Sequence, residues 1–201
     1  METQLSVHGP VCGTDEAGRG PIAGPVVAAA VLFDPSNLPA GLNDSKKLSE
    51  SRREELFQEI LRNWHVAWSV ASEGTILREN IRGASLLAIR QAVEALPVQP
   101  ANALIDGNAV PDHMPCPATP IIKGDSRCVS IAAASIVAKV IRDRIMVQLD
   151  EVYTEYGLAQ HKGYPTAFHL NQLARLGPCP AHRRAFKPVR ALLERNSDSQ
   201  S

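Results

Sequence analysis

The chain has 201 residues, 44% hydrophobic and 21% charged, with a formal net charge of +0. That balance gives ample material for a packed core and excludes a disordered polyelectrolyte. The longest mainly apolar run, Pro25 to Phe33, is far too short to span a bilayer, so no membrane association is expected.

The charge is unevenly placed. Residues 121–201 carry 12 Lys and Arg against 7 Asp and Glu, whereas residues 1–120 carry 9 against 14. A basic second half beside an acidic first half can hold a polyanion over an acidic site, although uneven halves also occur in proteins that bind no nucleic acid. Met1 to Pro10 is polar and does not resemble a signal peptide. Cys12, Cys116, Cys128 and Cys179 form no C-x-x-C pair. Cys179-Pro180-Ala181-His182 has the spacing of half a zinc site, but no second half matches it. Reduced thiols and a cytoplasmic location are expected.

In chain order, Val11–Thr14 and Val26–Phe33 read as strands bounded by Gly and Pro. Asp34 to Asp44 is a loop, and Ser49 opens a helix with Leu56, Phe57, Ile60 and Leu61 on one face. Trp64 to Ala71 alternates well enough for a third strand, giving an antiparallel start to a sheet. Ala84 to Leu96 is helical by its three-four spacing. Ala103-Leu104-Ile105 is a short buried strand ending at Asp106-Gly107, and a proline-rich connector from Pro111 to Pro120 leads to a fifth strand at Ile121-Ile122. Ser130 to Tyr156 is the longest helix, its first half small and apolar enough for deep burial. Two more helices are expected near Thr166–Leu176 and Pro188–Arg195, followed by a polar tail from Asn196. The order implies a mixed α/β sheet with a helical C-terminal portion.

Val11-Cys12-Gly13-Thr14-Asp15-Glu16-Ala17-Gly18-Arg19-Gly20-Pro21 is the stretch richest in chemistry. Acids at a strand end favour a divalent cation, and backbone amides beside an arginine favour phosphate. Four carboxylates, Asp15, Glu16, Asp106 and Asp125, stand at strand ends or before the long helix. Carboxylates converging from separate segments could hold two metal ions for an in-line phosphoryl displacement. Each has a plainer reading too. Asp106-Gly107-Asn108 is an ordinary turn sequence, Asp125 could complement a helix N-terminus, and adjacent acids are usually a solvated pair. Their shared position at the ends of apolar strands favours the site.

Asp15-Glu16-Ala17-Gly18-Arg19-Gly20-Pro21 resembles the signature of ribonuclease HII, the type 2 ribonuclease H. Five further segments resemble that family in its order: Asp44-Ser45-Lys46-Lys47-Leu48, Leu104-Ile105-Asp106-Gly107-Asn108, Lys123-Gly124-Asp125, Ala132 to Asp143, and His161-Lys162-Gly163-Tyr164. The resemblance implies an α/β, RNase H-like mixed five-stranded sheet, its first three strands antiparallel, flanked by helices and followed by a helical C-terminal extension. It implies one ribonuclease HII domain over residues 1–201, with the sheet core at about 10–155, the helical portion at about 156–195 and the polar tail at 196–201. It also implies that Asp15, Glu16, Asp106 and Asp125 are catalytic and ligate Mn²⁺ or Mg²⁺. The implied reaction is hydrolysis of the RNA strand of an RNA–DNA hybrid, and incision 5′ of a single ribonucleotide in duplex DNA, leaving 3′-hydroxyl and 5′-phosphate ends. The type 3 enzymes carry a sizeable extra N-terminal domain, so type 2 is the better match.

By resemblance, Gly18, Arg19 and Gly20 sense the ribose 2′-hydroxyl, the group that distinguishes RNA from DNA. Tyr164, otherwise a cap over the core, is implied to stack on the sugar where RNA gives way to DNA. Lys46, Lys139, Lys162, Arg183 and Arg184 are candidate phosphate contacts, though each is also an ordinary surface base. His161, His169 and His182 match no usual metal spacing and are expected in surface or structural roles. The implied partner is a hybrid or a ribonucleotide-containing duplex. A monomer is expected, since Arg195 to Ser201 lacks the apolar-aromatic sliding-clamp motif of some relatives. The rival readings are another RNase H-like nuclease, such as a junction resolvase, and a non-catalytic hybrid-binding protein.

Overall fold

The structure is a computed structural model that describes residues 2–42, 45 and 48–198. Its centre is a pair of antiparallel strands, β1 (Val11–Ala17) and β2 (Val26–Leu32). Every residue of β2 is buried, so the strand reads as a continuous apolar run rather than an alternating one. Its two faces separate cleanly. Ala29 and Val31 pack under α2 (Glu50–Asn63) and α4 (Val129–Val152), while Ala28 and Ala30 lie against the opposite helix, α3 (Glu73–Glu94).

The sheet has the order β3-β2-β1-β4-β5, with β3 at Val66–Ala71, β4 at Asn102–Asp106 and β5 at Ala118–Ile121. β3 pairs antiparallel to β2, so the first three strands are antiparallel as expected, whereas β4 and β5 run parallel to β1. The mixed five-stranded sheet flanked by helices is therefore present. The short elements include α1 (Glu2–Leu5), α5 (Leu158–His161) and a one-turn 3-10 helix at Thr154–Tyr156. The C-terminal portion contains α6 (Ala167–Leu176) and α7 (Lys187–Asp198). No helix among the described residues is long and apolar enough to cross a membrane.

Gly13 explains how the longest helix meets the sheet. A Cβ on Gly13 would lie 2.3 Å from the Ile131 nitrogen, so only glycine lets α4 rest on β1 backbone to backbone. The residues that approach are correspondingly small: Ala132, Ala133, Ala134 and Ser135 are all buried.

Several boundaries differ from expectation. β1 runs past Thr14 through Asp15 and Glu16 to Ala17, because its antiparallel pairing with β2 continues to Ala17 and Val27. α3 starts at Glu73, not Ala84, with a break at Asn80 (φ 57°, ψ 172°). Its first part has no apolar stripe, since Ile76 is buried but Leu77 is exposed, so periodicity reveals only the second part. The Asn80 Oδ1 accepts from the Arg82 and Gly83 nitrogens and restarts the helix, as an N-cap does. β5 is Ala118–Ile121, with Ile122 outside it and 63% exposed. Pro120 is tolerated there because β5 is an edge strand. The long helix ends at Val152, and Tyr156 belongs to the 3-10 turn before Gly157 at φ 70°.

Candidate active site

Strand register builds the site. Thr14 pairs with Ile105 across parallel strands, so the next residues, Asp15 and Asp106, emerge side by side where the pairing of β1 with β4 stops. Such carboxyl ends are where open α/β sheets place their ligand sites. Asp15 and Glu16 are neighbours in sequence, but side chains alternate along a strand. Asp15 shares the α4 face with Gly13 and meets Ser135, whereas Glu16 also borders a recess containing Arg82 and Ser85 of α3. Asp106 borders both spaces.

Asp15, Glu16 and Asp106 line one cleft of about 400 Å³, together with the Gly18-Arg19-Gly20 loop, Lys139 and Tyr164. Burial, then Glu16 and then Asp106, push the Asp15 carboxyl well above its ordinary value. Against that, the Glu16 nitrogen donates to Asp15 Oδ1 at 2.7 Å, and the Ser135 hydroxyl supports the same carboxyl. Ser135 is held in turn by the Ser45 hydroxyl at 2.8 Å. Asp106 Oδ1 accepts from the Gly124 nitrogen at 2.7 Å. Asp125, one residue further on, lines a shallower neighbouring groove with Ser126 and Arg127. The structure thus brings three of the four acids into one cleft and sets the fourth on the adjoining turn. Among the described residues, no three acid, histidine or cysteine side chains are grouped as a ready-made metal site.

The glycine–arginine–glycine loop is clamped from below. Arg183, 1% exposed, donates to the carbonyls of Gly18, Arg19, Pro21, Gly24 and Pro25 at 2.6–3.2 Å. Arg142, equally buried, donates to the carbonyls of Pro25, Ala23 and Lys162, while its Nη1 has no hydrogen-bond partner. Burial and then the nearby Arg142 bring Arg183 down to about 9, which leaves it cationic at neutral pH. Gly18 has φ 100°, and a Cβ there would lie 2.1 Å from Arg142 Nε. Gly20 faces the Tyr164 ring, with room for a Cβ at 3.4 Å from Cε1. Arg19 is half exposed and forms an ion pair with Glu16 Oε1 at 3.0 Å.

The candidate basic residues divide. Lys139 reaches the cleft and pairs with Asp143 at 2.7 Å. Lys162 borders a different groove, between α2 and α4, and its ammonium donates to the Ala159 carbonyl. Arg184 is exposed. Arg183 is not a surface phosphate contact: its donors are committed to the loop carbonyls. Lys46 lies outside the described residues. Sequence reasoning passed over Ser135, Arg142 and the structural use of Arg183. The buried run Ala132–Ser135 hinted at the first, but nothing local marks an arginine as internal.

His169 and His182 are buried rather than on the surface, consistent with structural roles, and all four cysteines are free.

A family model for ribonuclease HII matches residues 12–189. The ribonuclease HII of Rhizobium leguminosarum bv. trifolii is 54% identical over 190 residues, covering 94% of this chain and 83% of that protein. The ribonuclease HII of Magnetococcus marinus is 55% identical over 185 residues, covering 91% and 87%. Among solved structures, ribonuclease H2 from Pyrococcus horikoshii superposes with a TM-score of 0.76 at 26% identity, over 92% of this chain and 98% of that one. Sequence, sheet topology and the acid cleft agree: the chain belongs to the ribonuclease HII family and is a ribonuclease H enzyme.

Proposed function

We propose that the protein is an endonuclease that cleaves the RNA strand of RNA–DNA hybrids and incises duplex DNA 5′ of a single embedded ribonucleotide. The observation that supports this reading is the shared cleft, where Asp15, Glu16 and Asp106 stand beside Gly18-Arg19-Gly20 and Tyr164. One end carries acids suited to hydrolysis; the other carries a close-approach backbone loop and an aromatic face suited to a sugar.

The donor set fits a hard divalent cation. Its ligands are carboxylate oxygens, and Asp15 is an acid whose charge is disfavoured by burial and by two neighbouring acids until a cation compensates it. Asp15, Glu16, Asp106 and Asp125 would hold Mg²⁺ or Mn²⁺ in the two-metal arrangement. When bound, the ions would supply positive charge to the scissile phosphate and lower the pKa of the attacking water. The protein's own groups do the rest. Gly20 leaves the loop backbone open to a ribose, where an amide or carbonyl can bond a 2′-hydroxyl. Tyr164, 47% exposed on the cleft, offers its ring to a sugar. Arg19 exchanges its bond to Glu16 for a substrate phosphate as the acids take up cations. Lys139 contacts a flanking phosphate, and Lys46 and Lys162 are further candidate phosphate contacts.

The test is incubation with Mg²⁺ or Mn²⁺ and a DNA duplex containing one ribonucleotide. We expect a single incision 5′ of that residue with 3′-hydroxyl and 5′-phosphate ends. A folded protein that spares this duplex but cleaves continuous hybrids would remove the junction specificity. Cleavage of all-DNA junctions in preference would identify a resolvase-like enzyme, and metal-independent binding without turnover would identify a hybrid-binding protein.

A further inference from the structure

Tyr164 stands on a buried chain of imidazoles that the cleft does not touch. His169 Nδ1 lies 2.9 Å from the Tyr164 carbonyl oxygen, His169 Nε2 lies 3.1 Å from His182 Nε2, and His182 Nδ1 lies 3.1 Å from the Cys179 nitrogen and 3.2 Å from its Sγ. A carbonyl only accepts, so His169 Nδ1 carries the hydrogen and donates to Tyr164. Neutral His169 Nε2 must then accept from His182 Nε2, and His182 Nδ1 accepts from the Cys179 amide. One neutral tautomer of each ring satisfies every contact. Adding a proton to His169 would set its Nε2–H against the His182 Nε2–H, and adding one to His182 would set its Nδ1–H against the Cys179 amide. Burial agrees, holding both imidazoles below their ordinary values, His182 at about 4.

Two further contacts stiffen this seat. The His161 ring stacks on His169 at 4.3 Å and 17°, with His161 Nδ1 accepting from the Gly163 nitrogen. Tyr156 packs edge-on against His182 at 4.9 Å. The next residue along the chain reaches the other half of the cleft: Arg183 clamps Gly18, Arg19 and Pro21. Adjacent residues of one short segment, joined to the loop by the Ala23–His182 bridge, therefore anchor both the aromatic face and the glycine loop.

We infer that His169 and His182 are positioning residues that fix Tyr164 at its working distance from Gly18-Arg19-Gly20, and so set the enzyme's selectivity for a lone ribonucleotide over a continuous hybrid. This rests on the proposed role of Tyr164. A continuous RNA strand offers ribose sugars on both sides of the scissile bond, whereas a lone ribonucleotide depends on one correctly placed junction contact. A displacement of Tyr164 by a fraction of an ångström therefore penalises the second substrate more.

The experiment compares kcat/KM on a single-ribonucleotide duplex with kcat/KM on a continuous hybrid, for the wild type, His169→Ala, His169→Asn and Tyr164→Ala. His169→Ala should lower the ratio by at least about tenfold, with the hybrid rate changed by less than about threefold. The Asn amide nitrogen can replace Nδ1 as donor to the Tyr164 carbonyl, so His169→Asn should recover most of the ratio. If Tyr164→Ala lowers the ratio and His169→Ala leaves it unchanged, the inference is overturned while the reading of Tyr164 stands. If Tyr164→Ala itself has no effect, the underlying reading fails first. Should His169→Ala not fold, nitrogen-15 imidazole spectra of the wild type still decide the geometry. His169 must be the Nδ1–H tautomer and His182 the Nε2–H tautomer, and any other pair overturns the relay.

Discussion

At the scale of single residues, the cleft is a place where charge is concentrated before any cation arrives. Asp15 is buried and faces two further acids, so its ionised form is held against both desolvation and repulsion. Asp15→Asn should therefore stabilise the protein in chelator, by about 1 kcal/mol or more, or about 2–4 °C in Tm. The wild type should gain Tm on adding Mg²⁺ or Mn²⁺, and the variant should gain much less; thermal melts with and without metal check both halves. Asp106→Asn keeps an oxygen for the Gly124 amide, so fold and hybrid binding should persist while kcat falls at least about a hundredfold. Turnover and binding measured on one preparation separate these effects. Wild-type turnover in that variant would remove Asp106 from the chemistry. The two loop glycines should also differ. Gly18→Ala meets Arg142 Nε at 2.1 Å with φ 100°, whereas Gly20→Ala meets only the Tyr164 ring edge at 3.4 Å. We expect Gly18→Ala to lower stability and Gly20→Ala to spare it while weakening substrate discrimination.

At the scale of elements, the ends of helices matter more than their middles. α4 is preceded by Cys128, which supplies no side-chain cap. The acceptors come instead from Glu2, whose carboxylate takes the Val129 and Ser130 nitrogens at 2.9 and 2.7 Å as well as the Ser130 hydroxyl. The first helix of the chain thus closes the N-terminus of the helix that carries Ser135 and Lys139. Negative charge there also suits the helix dipole. Glu2→Ala should destabilise the fold by about 1–3 kcal/mol, read as a lower denaturant midpoint. A change below about 0.3 kcal/mol would show that water substitutes for the cap. The buried histidines predict a pH dependence. His182 has a folded value near 4 against an ordinary 6.5, so the unfolded chain binds more protons between those values. Its contribution is fully present above the unfolded value and is lost as pH falls from about 6.5 towards 4. Denaturant melts across that range should show a shallower decline for His182→Gln than for the wild type.

At the scale of the whole molecule, the cleft is seated by one direct contact between layers. α4 rests on β1 at Gly13, with Asp15 two residues along the strand and Ser135 one turn along the helix from Ile131. Gly13→Ala would place a methyl 2.3 Å from backbone and force the layers apart, an overpacking expected to cost about 1–3 kcal/mol or more. Because the same contact seats Asp15 against Ser135, the surviving folded fraction should also lose activity. Circular dichroism melts and specific activity per folded molecule test this together. Retention of both at wild-type levels would mean that the layers adjust independently.

Much of this was legible in the residues alone. The strands were readable because Val, Ala and Gly runs end in turn signals, and the three acids that share the cleft, Asp15, Glu16 and Asp106, stood out because carboxylates following apolar runs lack a cheap structural purpose. The family emerged from six segments in order. Other features depend on distance along the chain. Asp15 and Asp106 meet only because β1 and β4 run parallel with Thr14 opposite Ile105. Arg183 is internal because five carbonyls of a loop some 160 residues earlier receive it. Glu2 caps a helix that starts 127 residues later, and His169 and His182 meet across a turn. Local composition determines which elements form and which groups are chemically able. Register and packing between remote segments decide which of those groups share a cleft, because a side chain's partners are set by contacts its own neighbours in sequence do not encode.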